Sequence, residues 1–89
     1  MQFEWDERKR KSNLAKHGVD FADAVGVFDD DRARTQPDPD SEGEAISVTV
    51  GMSLKVEVVL VVWTQRTEDI IRLISARKAS PGEISKYYE

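Results

Sequence analysis

The spacing of apolar residues along this chain changes several times, and each change marks the start of a new element. Phe3 and Trp5 alternate with Gln2 and Glu4, the period of a short strand at the very start. From Asp6 the character turns helical. Asp6 is a capping residue with Glu7 in the opening turn behind it, and the helix runs through RKRKSNLAKH to stop at Gly18. Asp20 caps a second helix, in which Phe21, Ala24, Val25 and Phe28 form one apolar stripe. Residues 29–44 have a loop composition, with room for a short edge strand over Ala33–Gln36, and form the expected mobile region.

Three strand-like runs follow. Ala45–Val50 alternates, with Ile46, Val48 and Val50 on one side; Val56–Thr64 is apolar on both faces; Ile70–Arg77 is the third, with turns at 51–55 and 66–69 between them. A run apolar on both faces is covered on both, so Val56–Thr64 is expected at the sheet centre. Ser80-Pro81-Gly82-Glu83 is a capping box with proline at the first helical position, and it opens a final helix ending in SKYYE. The order predicts an α+β fold: a short N-terminal strand and two helices packed on a three- to four-stranded antiparallel sheet, followed by a C-terminal helix. Helices cover one face of that sheet and leave the other partly open. Eighty-nine residues with 39% apolar content fit one domain over residues 1–89.

Composition narrows the function classes. The chain has no cysteine, which removes disulfide scaffolds, thiolate zinc sites and cysteine nucleophiles, and agrees with a cytoplasmic location. The opening MQFEWDERKR is too charged for a secretory signal, and the longest apolar run, Val58–Trp63, is far too short to span a membrane. The formal net charge is −4, which by itself argues against nucleic acid. The charge is segregated, however. Residues 29–44 hold seven acids against Arg32 and Arg34, leaving the rest of the chain at +1, and Arg8, Lys9, Arg10, Lys11 and Lys16 lie in a stretch without any acid.

Several residues invite chemistry. Strict alternation along Ile70–Lys78 places Arg72 on one side with Ile70, Ile74, Ala76 and Lys78, and Arg77 on the other. A cation in mid-strand either pairs with an acid, reaches solvent, or serves a ligand. Arg66 belongs to a turn, where a solvated charge is ordinary, and Arg77 and Lys78 sit where a strand passes into a capped helix. His17 is the natural proton-transfer group near neutrality, but its position in the last turn before Gly18 favours the simpler role of satisfying the terminal carbonyls or the dipole of its helix. Tyr87 and Tyr88 diverge by about 100° on a helix, so at most one faces the core fully, and the other reaches a substrate or is an ordinary exposed terminal tyrosine. One histidine and no cysteine support no metal site. The stretch DPDSEGEAISVT echoes a calcium loop at Asp38, Asp40, Glu42 and Gly43, but its second position is proline and its twelfth is Thr49, so it is rejected. Glycine-rich phosphate loops, serine triads and dinucleotide fingerprints are missing.

The segments FEWD, NLAKHGVDFADAVGVF, PDPDSEGE and IIRLISARKASPGEISKYYE resemble the BrnT family of type II toxin–antitoxin toxins, in family order from Phe3 to Tyr88. The resemblance implies a RelE-like fold that cuts RNA without metal or other cofactor. It also implies neutralisation by a BrnA-like antitoxin, operator DNA contacted only through that antitoxin, and possible pairing of two copies within the complex. Lys16, His17 and Gly18, Arg66, and Arg72, Ser75, Ala76, Arg77 and Lys78 match the family's signature positions. On this footing Arg72 and Arg77 are assigned to the phosphate, Arg66, Lys78 and Lys16 to the RNA backbone, and His17 or a terminal tyrosine, Tyr87, to proton transfer. The first helix is more basic than the alanine-rich family pattern. Two alternatives stand beside this reading: a non-catalytic protein-binding module, and an inactive toxin relative retained for operon regulation.

Overall fold

A computed structural model of the chain describes residues 1–40 and 45–89; part of the acidic stretch considered for calcium and for mobility, residues 41–44, lies outside them. The elements are β1 (Gln2–Glu4), α1 (Glu7–His17), α2 (Phe21–Ala24), a 3-10 turn (Val25–Asp29), β2 (Arg34–Pro37), β3 (Ile46–Met52), β4 (Val58–Gln65), β5 (Ile70–Lys78) and α3 (Pro81–Tyr87). The caps fall where the sequence puts them. The Asp6 carboxylate accepts from the Arg8 and Lys9 amides, Gly18 closes α1 at φ 72°, Asp20 accepts from Ala22, and the Ser80–Glu83 capping box is complete.

The sheet has five strands in the order β1-β5-β4-β3-β2. β4 is central, as its two-sided apolar pattern requires. The expected three- to four-stranded antiparallel sheet is enlarged at both edges. β2 pairs antiparallel with β3, and β1 joins β5 in parallel, which makes the sheet mixed. A parallel partner needs a long crossover, and the whole of α1 through β4 supplies it.

The second helix also departs from its simple pattern. After Ala24 the chain tightens into the 3-10 turn, so Val27 (1% exposed) takes the core position expected of Val25. Gly26 explains the change. A Cβ there would stand 2.7 Å from the Leu54 amide nitrogen, so the turn lies directly on the β3–β4 hairpin, where only glycine fits. The core is the contact of Val19, Phe21, Ala24 and Val27 with Val59, Val61, Ile71, Leu73 and Ala76 on one sheet face. Phe3, Phe28 and Trp63 extend it as an aromatic row with ring centroids 5.3 Å apart, and Trp5 meets Phe21 edge-on. Among the described residues, no helix is long and apolar enough to cross a membrane.

Candidate functional site

The site is shaped by an irregularity that alternation could not anticipate. Val62 pairs with Ser75 and Trp63 with Leu73, so Ile74 is an extra residue in β5, a β-bulge. Side chains before and after it exchange parity. Arg72, Ser75 and Arg77 therefore share one face, whereas Ile71, Leu73, Ala76 and Lys78 share the other. The expected separation of Arg72 from Arg77 is overturned, and so is the grouping of Lys78 with Arg72.

The face carrying Arg72 and Arg77 is the one that α1 and α2 leave open. Cross-strand register writes it as rows. Arg77, Leu60, Val50 and Arg34 form one, Ser75, Val62, Val48 and Gln36 the next, and Glu4, Arg72, Thr64 and Ile46 a third. The first and third rows are four steps apart along β4, from Leu60 to Thr64, so the Arg72 and Arg77 backbones stand about 13 Å apart. The two cations are spread along β5.

Their environments differ. Among the described residues Arg72 gives one N–H bond, to Glu4 Oε2 at 2.7 Å, and Arg66 approaches the same oxygen at 3.8 Å. One carboxylate between two guanidiniums leaves a net positive cluster, and Arg72 keeps most of its five donors for other partners. Arg77 is more committed. It forms a two-pronged bond with Glu83 (2.9 and 3.0 Å) and donates a third to the Lys78 carbonyl at 3.1 Å. Arg77, overcoming the cost of burial, and the Ser80 amide beside it hold the Glu83 carboxyl down to about 2. Lys78 is directed to the other side, 3.8 Å from Glu57.

His17 and Lys16 lie at the end of α1. They border a shallow depression of about 440 Å³ with Arg8, Lys9 and Ser12 above and Ile74 and Ser75 below. Ser75 sits between Arg72 and Arg77, so this depression meets the open face at the β5 edge. Among the described residues, Arg8, Lys9 and Lys16 form no ion pair, and the His17 imidazole, in the last turn of α1, makes no hydrogen bond to a terminal carbonyl. The Gly18 amide closes the helix instead, on the Leu14 carbonyl.

Tyr87, assigned above to proton transfer, is turned into the protein. It is 4% exposed, and its hydroxyl donates to Asp30 Oδ2 at 2.5 Å. That bond, together with burial, raises its pKa to about 12. It anchors α3, and the exposed tyrosine is Tyr88.

Three residues in the site were invisible to motif reading. Asn13 is buried, its amide donates to the Val19 and Ala76 carbonyls at 3.0 and 2.7 Å, and its oxygen accepts the Ala76 N–H at 3.1 Å. β1 pairs only with residues 70–72, so beyond it one side chain replaces the missing strand along β5. Its only advance signal was a poor helix former in mid-helix. Glu4 and Glu83 are the other two, and their roles depend on register and on the start of α3. Among the described residues, no three His, Asp or Glu side chains gather as metal ligands.

A family model described as ribonuclease toxin, BrnT, of type II toxin–antitoxin system matches residues 5–83. Among solved structures, the crystal structure of the Brucella abortus ribonuclease toxin, BrnT, is similar, with a TM-score of 0.71 and 30% identity, covering 90% of this chain and 97% of that one. No curated protein matches the chain.

Proposed function

Because the chain belongs to the BrnT family of ribonuclease toxins of type II toxin–antitoxin systems, we propose that it is a metal-independent endoribonuclease whose working surface is the open sheet face along β5. The observation that carries this reading is the bulge at Ile74, which turns Arg72 and Arg77 to one side together with Ser75, the residue at which that face borders the depression holding Arg8, Lys9 and Lys16. RNA would lie along β5, with its backbone drawn by Lys16 and Arg66.

Cleavage of this kind is an internal displacement. The 2′-oxygen attacks phosphorus, the bond to the 5′-oxygen breaks, and the products are a 2′,3′-cyclic phosphate and a 5′-hydroxyl. A base takes the 2′-proton and an acid returns one to the leaving oxygen. His17 is the imidazole in the depression, and either transfer is assigned to it. Arg72, held in orientation by Glu4 and still rich in free donors, stabilises the charge that grows on the phosphate. Arg77 contributes through its remaining donors and fixes the start of α3. Tyr87 has no part in proton transfer, and Lys78, on the far face, is left with at most a distant effect.

The partner is an antitoxin of the BrnA kind, which silences the chain by covering this face; DNA is reached only through it, in the cytoplasm, and pairing of two copies belongs to that complex. Incubation of the purified chain with a defined single-stranded RNA in EDTA tests the activity. Fragments ending in cyclic phosphate, lost in Arg72→Ala and His17→Ala, support it, whereas intact RNA beside well-folded wild type rejects it.

A further inference from the structure

The open face is divided by α3. Between that helix and the sheet lies a groove of about 370 Å³. Its floor is Val48, Val50 and Leu60, and its rim carries Arg34 on β2 and Lys86 on α3. Among the described residues neither cation is in an ion pair, whereas the neighbouring Glu83 is already consumed by Arg77. The groove therefore presents an aliphatic floor with two cations on its rim that, among the described residues, are held in no ion pair.

We infer that this groove is the seat of an acidic amphipathic segment of the antitoxin, which places aliphatic side chains on Val48, Val50 and Leu60 and carboxylates against Arg34 and Lys86. The inference rests on the toxin reading above and names where its partner enters. Charge complementarity selects an acidic segment. The floor selects protein over RNA, because bases gain most from aromatic platforms and the aromatic that borders this groove, Tyr87, is buried.

Addition of a partner strand to the β2 edge is disfavoured by the same geometry. The Asp38 amide donates to Ile46, so in this ladder Arg34 and Gln36 also turn their backbone groups towards β3, and the outer edge of β2 is left with Thr35 and Pro37. Proline has no N–H to offer, which blunts that edge. Side chains docked on the face remain as the mode of binding. A segment seated there lies in the same row as Arg77, and its continuation along the face covers Arg72.

The test compares wild type, Arg34→Glu/Lys86→Glu and Lys16→Glu for affinity to the co-expressed cognate antitoxin and for cleavage of the RNA used above. The double variant is expected to bind antitoxin at least tenfold more weakly, with RNA cleavage unchanged and a flatter salt dependence of binding. Lys16→Glu is expected to keep antitoxin affinity and lose cleavage. Unchanged antitoxin affinity in the double variant overturns the inference, as does loss of cleavage with antitoxin binding intact, which would give the groove to RNA. Amide exchange on the wild-type complex decides independently of any variant: protection over residues 47–50 and α3 supports the groove, and protection confined to α1 and residues 70–75 overturns it. A wild-type chain that neither cleaves RNA nor binds the antitoxin overturns the toxin reading itself.

Discussion

Replacing Glu83 with glutamine separates the charge of this side chain from its shape. Glu83 accepts both prongs of Arg77 and the Ser80 amide at 2.8 Å, so it ties the end of β5 to the first turn of α3. Lowering a carboxyl from 4.5 to about 2 corresponds to about 3 kcal/mol at face value. Arg77 is 40% exposed, however, and water screens such a pair, so about 1–2 kcal/mol is the expected net loss in Glu83→Gln. In a domain of this size that lowers the melting temperature by about 5–15 °C.

The pH dependence follows from the direction of the shift. The folded pKa lies below the unfolded one, so the stabilisation is complete above about 4.5 and is lost as pH falls towards 2. Glutamine does not titrate. Urea unfolding at pH 7, 5, 4 and 3 should therefore show a gap between wild type and Glu83→Gln that is constant down to about pH 5 and narrows below it. Equal stability at pH 7, or a gap that persists unchanged to pH 3, would refute the account of this latch.

Other substitutions probe separate parts of the molecule. Asn13→Leu strands the Ala76 backbone groups and should cost about 2–4 kcal/mol by chemical denaturation, with amide exchange at residue 76 rising first. Tyr87→Phe removes the bond to Asp30 and should cost about 1–2 kcal/mol while leaving RNA cleavage unchanged; a large loss of cleavage in a folded variant would restore Tyr87 to the chemistry. Val56 is 77% exposed at φ 61°, a conformation a β-branched residue enters only with strain, so Val56→Gly should raise the melting temperature by several degrees.

The parts of the fold legible in the sequence are those set by local chemistry. Asp6, Asp20 and the Ser80–Glu83 box fix helix starts through bonds to amides two or three residues away, and Val56–Thr64 shows its central place by being apolar on both sides, although the strand itself begins only at Val58. The parts that were not legible depend on contacts distant in sequence. Ile74 carries no mark of a bulge, because the extra residue is defined only against Val62 and Trp63 on the neighbouring strand. That single residue decides which cations share a face. In the same way, Glu4 becomes the partner of Arg72 through the parallel register of β1 with β5, across 68 positions of sequence. Tyr87 and Tyr88 could not both face the core, but the chemistry was assigned to Tyr87, and it is Tyr87 that the packing of α3 near Asp30 buries.

The central claim is that the open face along β5 cuts RNA without metal, with Arg72 at its working point. The most direct measurement is end-group analysis of a defined RNA after incubation in EDTA with wild type and with Arg72→Ala, both shown to be folded. Wild type is expected to give 2′,3′-cyclic phosphate ends and the variant at least a hundredfold fewer, the scale on which removal of a donor that stabilises developing charge is felt. Cleavage that requires added divalent metal, or that proceeds equally in Arg72→Ala, would contradict the claim.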